Sequence, residues 1–245
     1  MNLEQKQVLE AIKRDQTVFK YASNELKHDR QMILAAVKTN GSVIEYIPEE
    51  FHNDKEIILA AVNQNGYSLE HVCNNLKDDK EVVLTAVKKF GGAIQFCYVH
   101  HQNDKEVILA AVQQDGLALE IVSKKFQKNK DVVLAAIQEN GVAIRSASEE
   151  FKNNREIFLM AVQQSGLALK HVSEKFKNDI EIVFTAVNQN KNSIIYASQE
   201  IKNLCGNNPL QTLTQFVEYE KLHIQMTQEL SVFKSLPPNK PKHKI

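Results

Sequence analysis

Residues 54–78 read DKEIILAAVNQNGYSLEHVCNNLKD, and closely similar stretches recur along the chain at intervals of 25 residues. Eight copies follow one another without insertion. They begin at Glu4, Asp29, Asp54, Asp79, Asp104, Asn129, Asn154 and Asp179. Self-similarity at a fixed short period indicates a repeat architecture, in which each unit buries its apolar face against its neighbours.

Three columns of the repeat identify structural positions, numbered from 1 at the start of each unit. Position 8 is Ala in all eight units, and position 6 is Leu in seven units and Phe184 in the last. Position 13 is Gly in the six inner units, whereas Gln16 and Lys191 replace it in the outer two. Atypical end units are expected because the ends of an array meet solvent or a cap.

The first half of each unit predicts a helix over positions 2–11. The Asp or Asn that begins most units can cap this helix, because its side-chain oxygen accepts a free backbone N–H of the first turn. The apolar run that follows could also be a buried strand, but its paired alanines favour a helix. The Asn-Gly or Asp-Gly pair after it is typical of a helix end with Gly in the left-handed C′ position. We expect the constant Ala to mark the closest approach between neighbouring helices.

The second half of each unit predicts another helix over positions 14–23. In the fifth unit its apolar residues are Leu119, Val122 and Phe126, which lie on one helix face by their spacing. Helices of about ten residues are unstable alone in water, so each hairpin must pack on the next. The predicted fold is therefore all-α, an α-solenoid of eight 25-residue helical hairpins over residues 1–203.

A different C-terminal segment follows the repeats. Residues 204–235 predict a cap of one long or two short helices, because Asn208-Pro209 is a good helix start and apolar residues keep helical spacing to about Lys234. Residues 236–245 are rich in Pro and Lys and predict a disordered basic tail.

Composition and charge exclude several classes of protein. Lys+Arg and Asp+Glu number 30 each, so no global attraction to nucleic acid or an anionic membrane is expected. A column of Lys or Arg at position 2 is followed by an acidic residue in most units, which weakens its field. The apolar runs are far shorter than the ~20 residues of a membrane span. We expect a monomer that binds no nucleic acid and spans no membrane.

The cysteines and the N-terminus indicate the compartment. The chain has 3 cysteines, at irregular spacings, which favours a reducing, cytoplasmic-type environment over a disulfide-stapled scaffold. The N-terminus has no apolar signal core. The usual nucleotide-binding, zinc-protease and serine-hydrolase motifs do not occur, and the carboxylates recur at helix-cap positions. We therefore expect no cofactor and no enzymatic activity.

The fourth unit departs from the repeat. It reads Phe96-Cys97-Tyr98-Val99-His100-His101 where other units end in a polar stretch such as Ser-Glu-Glu-Phe. It also has Phe90 in place of a polar residue and a doubled glycine at 91–92. The preceding unit adds His71 and Cys73. An irregular unit within a regular array is a place where a ligand surface could be encoded.

Three interpretations of this region stay open. The simplest is repacking around His101, which occupies a position where Phe or Leu normally points inward. A second is a protein-binding hot spot in which Phe96, Tyr98 and Val99, with the neighbouring His100, present exposed apolar groups. A third is a metal site, which we consider the weakest because no paired ligand motif occurs. Its candidate ligands are Cys73, Cys97, His71, His100 and His101.

A second candidate surface is the column at position 18. Its ring-bearing residues are Tyr21, Tyr46, His71, Phe96, His171 and Tyr196, with Ile121 and Ser146 between them. Such a column could form a ladder along one face that holds an extended partner. The simpler interpretation is a boundary position at which a ring is half buried.

The repeat resembles domain-of-unknown-function family 4116 over roughly residues 4–203. The matching pattern in the fifth unit is Asp104-Lys105-Glu106-Val107-Ile108-Leu109-Ala110-Ala111-Val112, Gly116, Leu119-Glu120, Ser123 and Phe126. The resemblance implies a helical repeat without an assigned activity. It also suggests a bacterial effector of the Legionella type, secreted into a host cytosol without an N-terminal signal peptide. We expect a non-enzymatic scaffold that binds a protein or peptide, with a metal-binding or enzymatic site at the Cys/His cluster as the alternative.

Overall fold

The structure, a computed structural model, describes residues 1–235, with side chains to residue 228. The predicted basic tail, 236–245, lies outside the described residues. Helices and turns account for the described chain, and its elements contain no strand. The architecture is an all-α repeat solenoid, as the sequence predicts.

Each unit begins with a ten-residue α-helix, which we call its long helix. In units 2 to 8 this helix covers positions 2–11, as predicted, and the Asp or Asn at position 1 caps it by accepting a backbone N–H. The first unit differs, since Asn2 caps its helix in a reciprocal capping box with Gln5. The long helices are Leu3–Ile12, Arg30–Thr39, Lys55–Gln64, Lys80–Lys89, Lys105–Gln114, Lys130–Glu139, Arg155–Gln164 and Ile180–Gln189.

The second half of each unit is two short helices rather than the single helix predicted over positions 14–23. A 3-10 helix comes first. The eight 3-10 helices are Gln16–Tyr21, Gly41–Tyr46, Gly66–His71, Gly91–Phe96, Gly116–Glu120, Gly141–Ser146, Gly166–His171 and Lys191–Tyr196. A terminal helix of one or two turns follows. The terminal helices are Asn24–His28, Glu49–Phe51, Asn74–Lys77, His101–Asn103, Lys124–Gln127, Glu149–Lys152, Glu174–Lys177 and Gln199–Cys205.

The break between these two short helices has a local cause at position 20. This position is Ser in five units, and it is the N-cap of the terminal helix with extended backbone angles, for example φ −63° and ψ 158° at Ser148. Ser is disfavoured in a helix interior. The Oγ of Ser23 and Ser198 accepts a backbone N–H of the terminal helix, whereas the other three serines make no such bond. The apolar positions 16, 19 and 23 still face the core, since Leu119, Val122 and Phe126 are all buried. The face was therefore predicted correctly, and the continuity of the helix was not.

The repeated glycine at position 13 is not in the left-handed conformation that the sequence suggested, because Gly206 is the one glycine with positive φ among the described residues. Its role is close packing. A Cβ added to Gly41 would lie 2.4 Å from the backbone oxygen of Ala61, in the next unit. The remaining position-13 glycines meet the corresponding Ala carbonyl at 2.1–2.5 Å. The constant Ala thus marks the closest approach between units, as expected, but the approach is between backbones.

A hydrogen bond accompanies this close approach. The N–H of Gly166 donates to Oε1 of Gln189, at position 11 of the next unit, over 2.7 Å. The equivalent bond joins Gly41 to Gln64 over 2.6 Å, and it also forms at Gly91 and Gly116. Position 13 therefore both contacts and hydrogen bonds the following unit, which sets the separation of neighbouring units.

A ladder of ion pairs connects the starts of successive long helices. Arg30 Nε lies 2.6 Å from Asp54 Oδ2, and Arg30 Nη2 lies 2.6 Å from Glu56 Oε2. The same cross-unit contact joins Lys55 to Asp79 and Glu81, Lys80 to Asp104 and Glu106, Lys105 to Asp131, and Arg155 to Asp179 and Glu181. Most of the position-2 cations are therefore neutralised inside the array.

The ladder changes at the two ends of the array. In the first unit position 2 is the neutral Gln5, whose Nε2 donates to Asp29 Oδ2 over 3.2 Å. In the last unit position 2 is Ile180, which packs against the hydrophobic core. In each of these contacts the side chain at position 2 binds an acidic residue of the next unit. The eighth unit has no polar side chain at position 2 and makes no such contact.

A single long helix, Pro209–Ser235, caps the last unit. Its first turns pack on the long helix Ile180–Gln189, and Leu213 and Val217 are buried there. Residues 218–228 are exposed, including Tyr219 and Met226. Within the part of this helix whose side chains are described, residues 209–217 therefore form the contact with the array. Among the residues described, no helix is both long and apolar enough to cross a bilayer.

We predict that Gly166→Ala lowers the free energy of unfolding by about 1–3 kcal/mol, because the new Cβ would meet the Ala186 carbonyl at 2.3 Å. Leu167→Ala, at the adjacent and half-exposed residue, is the control and should change it by only about 0.5 kcal/mol. Urea titrations followed by far-UV circular dichroism measure both values. Equal effects of the two substitutions would contradict the packing role of position 13.

The ladder also predicts how stability depends on pH. Hydrogen bonds from Arg30 and Lys55 hold the pKa values of Asp54 and Asp79 below their usual range. Such carboxylates stabilise the fold above their unfolded pKa of about 3.9, and this contribution is lost as the pH falls through the lower folded pKa. We expect the melting temperature to fall below about pH 4, and to fall less steeply in Arg30→Met. Lys13→Met, outside the ladder, should keep the wild-type slope.

Candidate binding surface

The fourth unit replaces a structural polar residue by an aromatic ring at position 12. In the other inner units Asn or Asp at this position accepts the N–H of position 14, as Asn65 does from Tyr67 over 3.1 Å, with Ser165 as an exception. Phe90 makes no such bond. Its ring instead lies over Gly92, where an added Cβ would meet Phe90 Cζ at 2.6 Å. The second glycine of the doublet thus makes room for the ring.

The ring of Phe90 belongs to an aromatic cluster that spans two units. Tyr67 lies 6.1 Å from Phe90 and 5.1 Å from Phe96 between ring centroids, with an edge-to-face geometry in the second pair. Edge-to-face pairs are favoured by the charge distribution of aromatic rings. A hydrogen bond with Glu70 raises the pKa of the Tyr67 hydroxyl. Tyr67 is 44% exposed, while both Phe rings are partly buried against the core.

Tyr98 and Val99 follow this cluster directly and are exposed, Tyr98 at 41% and Val99 at 70%. The sixth unit carries Ser148 and Glu149 at the same positions. The backbone here is held in place, because the Val99 carbonyl accepts a bond from Asn103 Nδ2 over 2.8 Å. We call Tyr67, Phe90, Phe96, Tyr98 and Val99 together the unit-4 surface.

His101 lies where other units place an inward-pointing Phe or Leu, and it is itself buried, with 5% of its surface exposed. Its Nε2 lies 2.8 Å from the backbone oxygen of Asp78, the last residue of the preceding unit. The imidazole thus fills the volume of the missing apolar side chain and satisfies its own polar atom by a bond to a carbonyl. This is the arrangement that the repacking interpretation requires.

Asp78 also brings the two adjacent histidines together. His100 Nε2 lies 2.7 Å from Asp78 Oδ1, and His101 Nε2 lies 3.5 Å from the same oxygen. The two imidazole centroids are 4.1 Å apart, and Tyr98 stacks on His100 at 6.2 Å with an interplanar angle of 11°. His100 and Asp78 are exposed, so the trio lies at the surface with His101 beneath it.

The remaining proposed metal ligands lie elsewhere. Cys97 is buried at position 19, an apolar core position, and its burial raises the pKa of the thiol to about 11. Cys73 directs its thiol to the backbone oxygen of His52 at 2.9 Å. His71 ends the 3-10 helix of the third unit and is half-buried. Among the described residues, the Asp78 trio is the one His/Cys/Asp/Glu group with metal-site spacing, and it includes neither cysteine.

The position-18 residues follow one edge of the array, since consecutive 3-10 helices pack side by side within units 1–4 and within units 5–8. Tyr46, Phe96 and Tyr196 lie half-buried against the core, and burial lowers the pKa of His171. Tyr21, in the first unit, is exposed. The column is therefore mainly the boundary position that the simpler interpretation describes.

A small cavity of about 230 Å³ lies between units 4 and 5. It is lined by Ile94, Gln95, Gln102, Ile121 and Val122. Gln102 Nε2 donates to the backbone oxygen of Cys97 over 3.0 Å, which closes the end of the 3-10 helix. Ile121 is half-exposed at its rim. The cavity gives the fourth unit a notch of mixed polarity on its C-terminal side.

Tyr67 and Asp78 are the two residues of this region that the sequence did not single out. Tyr67 is at position 14, and position 14 contacts position 12 of the next unit. The same contact joins Ser42, at position 14 of the second unit, to Asn65, at position 12 of the third, where Asn65 Nδ2 donates to Ser42 Oγ over 2.9 Å. Asp78 is the one acidic residue at position 25 of any unit. The sequence did contain a signal for Asp78, because this unusual acid ends the unit that precedes the unusual histidine pair.

The stacked units, each with a long helix followed by two short ones, define an all-α tandem-repeat protein. The family model described as Domain of unknown function (DUF4116) matches residues 6–51, 29–77, 79–127, 129–176 and 154–202, so each match covers about two 25-residue units. The chain belongs to this family. No curated protein and no solved structure matches it.

We predict that His101→Phe preserves stability to within about 1.5 kcal/mol, because Phe fills this position in four other units. His101→Ala should lower the free energy of unfolding by about 2–4 kcal/mol, since it leaves a cavity. His100→Ala, at the exposed neighbour, is the matched control and should have an effect of about 0.5 kcal/mol. Urea unfolding distinguishes the three variants, and a stable His101→Ala protein would contradict the buried role.

Proposed function

We propose that this protein is a non-enzymatic interaction scaffold and that the unit-4 surface binds a protein or peptide partner. The observation that carries the proposal is the replacement of Ser and Glu by Tyr98 and Val99 at exposed positions. The fold encloses neither side chain, since Tyr98 is 41% and Val99 70% exposed. Exposed aromatic and aliphatic groups that form a cluster are typical of binding hot spots.

The surface has the properties of a preorganised site. The ring of Phe90 is fixed by its contact with Gly92, and Tyr67 packs between Phe90 and Phe96. Rigid side chains lose little conformational entropy when a partner binds, which favours affinity. The notch beside Ile121, which is lined by isoleucine, valine and glutamine side chains, offers a place for a side chain of the partner. Polar side chains such as Gln95 and Gln102 would form the rim of the interface.

A competing proposal places binding along the position-18 ladder. A long partner would then contact Tyr21, Tyr46, His171 and Tyr196 in addition to the fourth unit. Most of these rings are half-buried, which leaves less surface for contact than at Tyr98 and Val99. The unit-4 surface is therefore the better candidate.

The decisive experiment restores the repeat sequence at the proposed surface. Tyr98→Ser/Val99→Glu gives the fourth unit the residues of the sixth and seventh units at these positions. We expect partners captured by the wild-type chain to be lost, with a melting temperature within about 4 °C of wild type, because both side chains are exposed.

Tyr21→Ser is the matched control, since it removes an exposed tyrosine from the distant first unit. It should leave capture unchanged. If Tyr21→Ser lost the captured partners and the double variant kept them, the position-18 column would be the binding surface instead of the unit-4 surface. Unfolding of the double variant would show instead that Tyr98 and Val99 are structural.

The effector role implied by the family resemblance is part of the same proposal. The three cysteines are free thiols in the structure, which suits a reducing host cytosol. A translocation reporter fused to the full chain, in secretion-competent and secretion-deficient bacteria, tests it directly. Equal signals from the two strains would remove the effector role without affecting the scaffold proposal.

A further inference from the structure

We propose that Asp78, His100 and His101 form a binding site for one divalent transition-metal ion of the Zn²⁺ type. The proposal does not depend on the partner-binding function, although Tyr98 lies at both sites. Its basis is that the third and fourth units depart from the repeat at positions that the fold places in contact. His100 and His101 are at positions 22 and 23 of the fourth unit, and Asp78 is at position 25 of the third.

The fold brings positions 25 and 22 together at another place in the array as well. In units 7 and 8 the same two positions are occupied by Asn178 and Glu200, and Asn178 Nδ2 donates to Glu200 Oε2 over 2.9 Å. An amide and a carboxylate there satisfy each other without a metal. Two imidazoles and a carboxylate are instead a preferred ligand set for borderline divalent ions.

The distances suit a metal ion. The ligand atoms all lie within 4.8 Å of one another, and His100 and His101 Nε2 are 2.7 and 3.5 Å from Asp78 Oδ1. Tetrahedral zinc with bonds of about 2.0–2.1 Å separates its ligand atoms by about 3.3 Å. Metal binding at His101 Nε2 replaces its hydrogen bond to the Asp78 backbone oxygen and moves the ring proton to Nδ1. The exposed side chains of His100 and Asp78 can adjust their separations to those of a metal site.

Neighbouring groups support this geometry. The Tyr98 ring lies nearly parallel to the His100 ring, with 6.2 Å between their centroids. The trio supplies three ligands, one carboxylate and two imidazoles, and it is open to solvent on the side of His100. Water can therefore complete the coordination, as in sites with three protein ligands. Nitrogen donors favour Zn²⁺, Ni²⁺ or Cu²⁺ over Mg²⁺ and Ca²⁺.

The test uses the tag-free full chain titrated with ZnCl₂ in a calorimeter. We expect saturable binding of one ion per chain, and no heat with MgCl₂. Asp78→Asn, His100→Gln and His101→Phe should each weaken binding by about 10-fold or more. The last variant keeps an apolar side chain in the core position, and circular dichroism verifies that each variant is folded.

Two matched controls exclude the other nearby ligands. His71→Gln and Cys73→Ser should bind Zn²⁺ as the wild type does. Substitution by Co²⁺ gives a second measurement, in which d–d absorption should appear without the near-ultraviolet band of a thiolate–cobalt bond. The proposal is overturned by no saturable binding up to about 1 mM ZnCl₂, by wild-type affinity in the three ligand variants, or by a thiolate band.

Discussion

The spacing between neighbouring units is fixed by a contact between two backbones. The glycine at position 13 lies against the carbonyl of the Ala at position 8 in the next unit, as Gly41 does with Ala61. The glycine N–H also donates to the position-11 side chain of that unit. A Cβ at any of these inner glycines would force the units apart, and position 13 is accordingly Gly in the six inner units. The regular 25-residue period, the buried core and the ladder of ion pairs all depend on this separation.

The sequence predicted the parts of the fold that local chemistry determines. The long helices of units 2 to 8 begin and end as predicted because the cap at position 1 and the apolar run are local signals. The role of glycine was misassigned, since the carbonyl that excludes a Cβ comes from about 20 residues further along the chain. The second helix was predicted as continuous because i, i+3, i+7 spacing fits one helix or two. The serine column at position 20 was the signal for the break.

The candidate site was predicted in part for the same reason. The departure of the fourth unit from the repeat was visible in the sequence, and so was the inward position of His101. Tyr67 and Asp78 were missed because each reaches its partners through a contact between units, position 14 to 12 and position 25 to 22. Once the structure of one pair of neighbouring units is known, such contacts can be predicted for the other units from the sequence. The position-18 column shows the opposite error. Its regular pattern suggested a binding surface, but most of its rings are half-buried and pack against the core.

The ladder of ion pairs gives the array a direction. Five of the six cations at position 2 reach the acids of the following unit, and Ile180 ends the series against the core. The eighth unit therefore ends the series of ion pairs. If another unit followed it, the acids at the start of that unit would have no cation at position 2 of the eighth unit to pair with. Duplication of an inner unit would preserve the rungs on both of its sides. Descendants of this gene that differ in length should accordingly have gained or lost copies from the middle of the array, while keeping its last unit and cap together.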